Sequence, residues 1–388
     1  MTDIRSQYQQ LLPWISIRKF LALLLIVLAF CLAPFLSQRW QTKSLVESIR
    51  GHGGEVRLDQ HVCYNGACFY IPLAVSESLS RITYISYTGS NSCPIDDSFV
   101  ESMNHQPFLC TLKLGDRIHP ARITDRSFSA MKQFPELVSL DLTGVTLTDS
   151  SYKELSQFPS LRFLKLRNLD SQTDRLCGIS QLKRLNSLCL ADMNIANTNL
   201  NHVSSLTALK SIEFSKTTIE KDCFRKLSNM SQLSLMSLYF TEFDPGELTY
   251  LTDLTSLQSL HLNGSTINDT HIRETAKLSQ LTQLHLDETD ISDQSLAHLT
   301  DMKNLNVLFL TNTAISDAGI KHLTQLDNLQ YLHLGNTKIT SQVIYSLLNM
   351  PRLVRVRGVE KVLTDESLQA LQDAGIEVER EGSYIKLP

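Results

Sequence analysis

Leucine returns every 24 residues, ten times in succession, at Leu137, Leu161, Leu185, Leu209, Leu233, Leu257, Leu281, Leu305, Leu329 and Leu353. A constant period of this size marks one supersecondary unit stacked on copies of itself. Length alone would allow the 388 residues to form two or three compact domains. The repeat overrides that expectation and makes most of the chain one elongated body, because no single unit can bury its apolar edge alone.

Each unit opens Leu-x-x-Leu-x-Leu, as in Leu281, Leu284 and Leu286. The fourth position is apolar in all ten units and the sixth in nine, with Gly358 the exception. Alternation at four and six is the period of a strand with one buried face. The second half of a unit, for example Asp317 to Leu326, spaces Ile320, Leu323 and Leu326 as a helical stripe. Ser316 or Asp317 is placed to cap it, since a short oxygen-bearing side chain accepts bonds from the free N–H groups of a first turn.

The later units read Leu-x-x-Leu-x-Leu-x-x-Thr-x-Ile-x-Asp-x-x-Leu-x-x-Leu, with Thr289, Thr313 and Thr337 at the ninth position. In this the chain resembles leucine-rich repeat proteins, in the 24-residue bacterial or cysteine-containing form, over roughly residues 79–378. The resemblance implies an α/β solenoid with a parallel sheet on its concave face and true helices on its convex face. A longer unit starts at Leu109 and a degenerate one near Ile82, while 353–388 read as a degenerate last repeat and C-terminal cap.

The N-terminus adds a membrane expectation. Phe20 to Leu36 is an uncharged run of 17 residues, bounded by Arg18, Lys19 and Arg39 and flanked by the only tryptophans, Trp14 and Trp40. It would make about 25 Å of helix, near the lower limit for a span. Trp favours the membrane interface, so one transmembrane signal-anchor helix is the expectation. A cleaved signal peptide and a lipoprotein signal are the alternatives, and both are poorly matched around Ala29 and Cys31. The organisation is then a tail at 1–19, the anchor at 20–36, a stalk and N-terminal cap at 37–78, and repeats at 79–352. Val46 to Arg50 followed by Gly53 to Arg57 resembles the juxtamembrane segment of membrane-anchored bacterial leucine-rich repeat proteins. Basic residues tie across the span, so orientation rests on Arg18 and Lys19, which abut it, and on the cysteines. Both favour repeats outside the cytoplasm.

Cys63 and Cys68 flank Tyr64-Asn65-Gly66-Ala67. Asn-Gly is a strong two-residue hairpin turn, and it puts the two cysteines opposite one another at a spacing that suits a disulfide. Cys93 and Cys110 are candidates for a second bridge, whereas Cys177, Cys189 and Cys223 read as unpaired thiols.

Strand positions three, five and seven point away from the solenoid core. In the C-terminal half they bring His261, Asn263, His285, Asp287, Phe309, Tyr331, His333, Arg355 and Arg357 onto one concave patch. Tyr, Phe, Arg and His suit the centre of a protein interface. A solvated ladder with no partner is the alternative. So is a metal site of His261, His285 and Asp287, although no metal or cofactor is expected. Any binding there should weaken below the ordinary histidine pKa of ~6.5, when adjacent rings charge. Phe163, Lys165 and Arg167 form a smaller cluster, paired with Asp141 and Glu213 or solvated. The net charge of −4 gives no basic excess for nucleic acid, and no catalytic signature of the hydrolase, metalloprotease, phosphate-loop or dinucleotide type is present. A non-enzymatic, membrane-anchored protein that recognises a protein, a peptide or an envelope component is the leading expectation. An intracellular adaptor, similar to the substrate-recognition half of F-box ubiquitin ligases, is the alternative.

Overall fold

The computed structural model describes residues 44–48, 50, 55–59, 61–64, 67–70, 81–87, 95–103, 106, 108–115, 122–143, 149–167 and 176–380. Its spine is a sheet of 14 strands whose order follows the chain, from Glu55–Asp59 and Arg81–Tyr87 at one end to Arg355–Arg357 and Glu377–Glu379 at the other. The first two strands pair antiparallel, and every later pair is parallel. Register follows the period: Ser187 faces Ser211, which faces Leu235, then Ser259, Gln283, Val307, Tyr331 and Arg355. Strands joined by short convex segments in sequence order make a solenoid.

The leucines stack inside it. Leu185, Leu209, Leu233, Leu257, Leu281, Leu305 and Leu329 are fully buried, as are Leu284, Leu308 and Leu332 on the strands. The ninth position closes each strand end. Its hydroxyl donates to a strand-end carbonyl, from Thr289 to Leu286, Thr313 to Leu310 and Thr337 to Leu334. Without a partner, those buried carbonyls would be costly. The eighth residue takes the left-handed backbone in seven successive units: Asp192, Lys216, Phe240, Gly264, Glu288, Asn312 and Asn336. The chain turns sharply out of the strand there, whatever side chain it carries.

On the convex side the Ser/Thr-Asp signal works across units. Ser292 and Ser316 cap their helices and Thr340 stands in the turn just before the next, and the aspartate one unit earlier accepts both the backbone N–H and the hydroxyl of each. Asp97 does the same for Thr124. The convex segments are not all true helices, which corrects the sequence expectation. Cys177–Gln181, Phe224–Leu227 and Pro245–Asp253 are 3-10 turns. The residue before each of the first two supplies no side-chain cap, and the third opens with Pro245-Gly246.

Gly358, the exception at the sixth position, has φ +80°, and a Cβ there would lie 2.3 Å from the backbone nitrogen of Gly335. The close approach of the capping turn to the preceding unit requires it. The C-terminal cap is the helix Asp365–Asp373 followed by the strand Glu377–Glu379, in which Val378 pairs with Val356.

At the other end, His61–Tyr64 and Ala67–Tyr70 form the expected hairpin, with Cys63 opposite Cys68. The side chains of that pair, residue Cys93 and the run Phe20 to Leu36 lie outside the described residues. No described helix is long and apolar enough to cross a membrane.

Candidate functional site

Strands about 4.8 Å apart bring equivalent side chains into van der Waals contact. Where those side chains are flat they stack. Tyr239 meets His261 edge-on at 5.8 Å, His261 lies 3.9 Å from His285, and His285 stacks on Phe309 at 4.1 Å with 14° between the rings. Phe309 then meets Tyr331 at 5.3 Å and the edge of His333 at 5.5 Å. The result is a column of rings along the concave face of the C-terminal half.

The column covers itself. His285 is 8 % exposed, Phe309 6 % and Tyr331 1 %. Val307, Phe309 and Tyr331 form a second apolar cluster, separate from the leucine core. A solvated ladder is therefore not what these residues make.

Hydrogen bonds lock the rings. Nδ1 of His261 pairs with Ser237 Oγ at 2.9 Å and Tyr239 Oη at 3.3 Å, and its Nε2 pairs with Ser259 Oγ at 2.9 Å. Nδ1 of His333 pairs with Thr311 Oγ1 at 3.1 Å. Nε2 of His285 is buried without a hydrogen-bond partner. Beside the column, Asn263 Nδ2 donates to Asp287 Oδ2, and the Thr311 N–H donates to Asp287 Oδ1 at 2.8 Å.

Burial decides the electrostatics. It pushes His261 down to about 4. Burial, followed by the neighbouring His261 and His333, pushes His285 down to about 3. Both rings are therefore neutral at mildly acid pH, which corrects the expected titration near the ordinary histidine value. Burial raises the Asp287 carboxyl above its usual range, although the Thr311 hydroxyl opposes it. No group of three or more His, Cys, Asp and Glu that could hold a metal ion occurs among the described residues.

Arg355 turns toward the C-terminal cap. Arg355 contacts Glu377 at 2.9 Å and Glu379 at 3.1 Å, and Tyr331 Oη donates to Glu379 at 3.3 Å. Arg357 is buried, opposite His333. Arg355 thereby fastens the last strand. Tyr239, Ser237 and Ser259 are members of the site that sequence reasoning missed. Their signal was present: Ser237 stands one period before His261, and Ser259 one period before Gln283.

In the N-terminal half, Arg167 pairs with Asp192 at 3.1 Å rather than with Asp141 or Glu213. Cys189 lies buried between Lys165 and Glu213 on the neighbouring strands. Burial, with Glu213 adding to it, pushes its thiol up to about 12, and burial does the same to Cys223. Neither is a reactive thiol. Phe163 and Phe240 stand out instead, 48 % and 46 % exposed.

No family model matches the sequence, and no curated protein does. Among solved structures, the chain is similar to an internalin (inlF) from Listeria monocytogenes, at a TM-score of 0.53 and 20 % identity over 89 % of this chain and 95 % of that one. A leucine-rich repeat protein from Leptospira interrogans gives a TM-score of 0.49 at 16 % identity, over 72 % of this chain and 80 % of that one. The sheet, the register and the first of these likenesses together define the fold as a leucine-rich repeat solenoid.

Proposed function

We propose that this chain is a non-enzymatic recognition protein, anchored in a membrane by Phe20 to Leu36, that binds a protein or peptide through its concave face. The observation that carries this reading is the self-covered ring column from Tyr239 to Tyr331. It forms a rigid apolar floor, while the half-exposed side chains beside it, among them Asn263, Gln283, Asp287 and Thr311, give a polar margin. A rigid aromatic centre with a polar rim is the usual anatomy of an interface. His261, His285 and Phe309 shape the floor, and His333, Arg355 and Arg357 bound its C-terminal end. The hairpin register that sets Cys63 against Cys68 supports a disulfide, hence an oxidising compartment outside the cytoplasm.

Two experiments test the proposal. A photo-crosslinking residue placed at Gln283 or Thr311 should capture a partner in intact cells, and one at the exposed convex position Lys321 should not. Capture from the convex position alone would sink the concave-face reading. A membrane-impermeant thiol reagent should label Cys63 and Cys68 in intact cells only after reduction. Labelling without reductant, and only in broken cells, would place the repeats in the cytoplasm and favour the adaptor.

A further inference from the structure

A cavity of about 580 Å³ opens between the convex edges of two neighbouring units, away from the concave face. Asn197 and Ser204, at the two ends of the helix Asn197–Val203, line one side. Asp222, Arg225, Lys226 and Asn229 of the next unit line the other. The notch coincides with the shortest convex segment of this region, the four-residue 3-10 turn Phe224–Leu227.

That turn is held rigidly. The buried carboxylate of Glu247, one unit on, accepts the N–H of Asp222 at 2.7 Å and that of Phe224 at 2.9 Å. Tyr250 Oη donates to Asp222 Oδ1 at 3.3 Å. Arg225 and Lys226 project from this clamped backbone, exposed and without a carboxylate partner among the described residues. Asn197 Nδ2 donates to the Lys221 carbonyl at 2.9 Å, which ties the neighbouring unit to the same turn.

The lining thus offers two kinds of group: two cations for an anion, and the Asp222 carboxylate as acceptor for hydroxyl donors. All six of its side chains are polar, so it suits a hydroxyl-rich ligand better than an apolar one. We propose that this notch binds an anionic sugar, one or two rings carrying a carboxylate or a phosphate. The anion meets Arg225 and Lys226, and the ring hydroxyls donate to Asp222. The size fits the ~300–1,000 Å³ usual for small-ligand sites.

The test is calorimetric titration of the full chain with glucuronate, glucose 6-phosphate, glucose and inorganic phosphate at low ionic strength. At least one charged sugar should bind about tenfold or more tightly than glucose and than inorganic phosphate. The double change Arg225→Ala with Lys226→Ala, at exposed positions, should remove that advantage without altering thermal unfolding. Inorganic phosphate binding as well as the sugars would overturn the proposal, since the notch would then be a plain anion patch. So would affinity that survives the double change, or no binding of either charged sugar. None of these outcomes touches concave-face recognition, which uses other residues.

Discussion

At the scale of single residues, His285 shows how burial reverses a reading made from side-chain type. Its ring is covered on both faces and its Nε2 has no partner, a situation worth about 1–3 kcal/mol of lost solvation. Phenylalanine keeps the stack and removes the orphan. His285→Phe should therefore be as stable as the parent or about 1 kcal/mol more stable at pH 7 in urea unfolding. The pH dependence follows with a definite sign. A ring held neutral in the folded state binds its proton near 6.5 only when unfolded, so its contribution is fully present above that pH. It is lost as pH falls toward the folded values of about 4 for His261 and about 3 for His285. Each such ring adds a slope of about 1.4 kcal/mol per pH unit in that window. Unfolding measured between pH 4.5 and 7.5 should show a shallower slope for His285→Phe, and an unchanged slope would refute the buried-neutral assignment. Gly358 is the second telling residue. Gly358→Ala should cost at least about 2 kcal/mol, because its positive φ and the Gly335 backbone both oppose a Cβ.

At the scale of elements, convex segments are fastened by carboxylates reaching between units. Glu247 holds the irregular turn at Asp222–Phe224 with two charge-assisted bonds while fully buried. Glu247→Gln should cost about 1–3 kcal/mol, since an amide offers one acceptor oxygen in place of two. Differential scanning calorimetry would read the loss, and an unchanged melting temperature would contradict the clamp. The aspartate ladder sets a second acid window. Burial pushes Asp269 up, but the hydroxyls of Ser292 and Ser295 and the Ser292 N–H outweigh it and hold the carboxyl below its ordinary value. Asp97 is held low in the same way against burial, first by the Ser127 hydroxyl and then by Thr124. Their contribution is present above about pH 4 and disappears as pH falls through the lowered values. Acid unfolding should therefore be two-staged, with the histidines acting above the aspartates.

At the scale of the whole molecule, stability is close to a sum of nearest-neighbour contacts, so the ends matter most. Arg355 and Tyr331 tie the ring column to Glu377 and Glu379 of the last strand. Truncation before residue 353 removes that strand and uncovers the apolar edge at Leu329 and Leu332. Hydrogen exchange on the truncated chain should show protection lost first in the units from Leu281 to Leu329 and kept near Leu209. Uniform loss across the solenoid would mean that it behaves as one cooperative block.

The 24-residue leucine period, the threonine at position nine and the Ser/Thr-Asp helix starts were enough to specify a parallel solenoid, because each is a local pattern repeated in register. They also placed His261, His285, Phe309 and His333 on one row of the concave face. What they left open was the state of that row. Whether a side chain pointing off a strand meets water depends on its neighbours 24 residues away, and flat rings at strand spacing exclude water from one another. The same long-range dependence hid the Glu247 clamp and the notch beside Arg225, which arise where one unit departs from the repeat and its neighbours adapt. Sequence alone set the scaffold; tertiary stacking decided which of its polar groups stay neutral, which are locked and which remain open to a ligand.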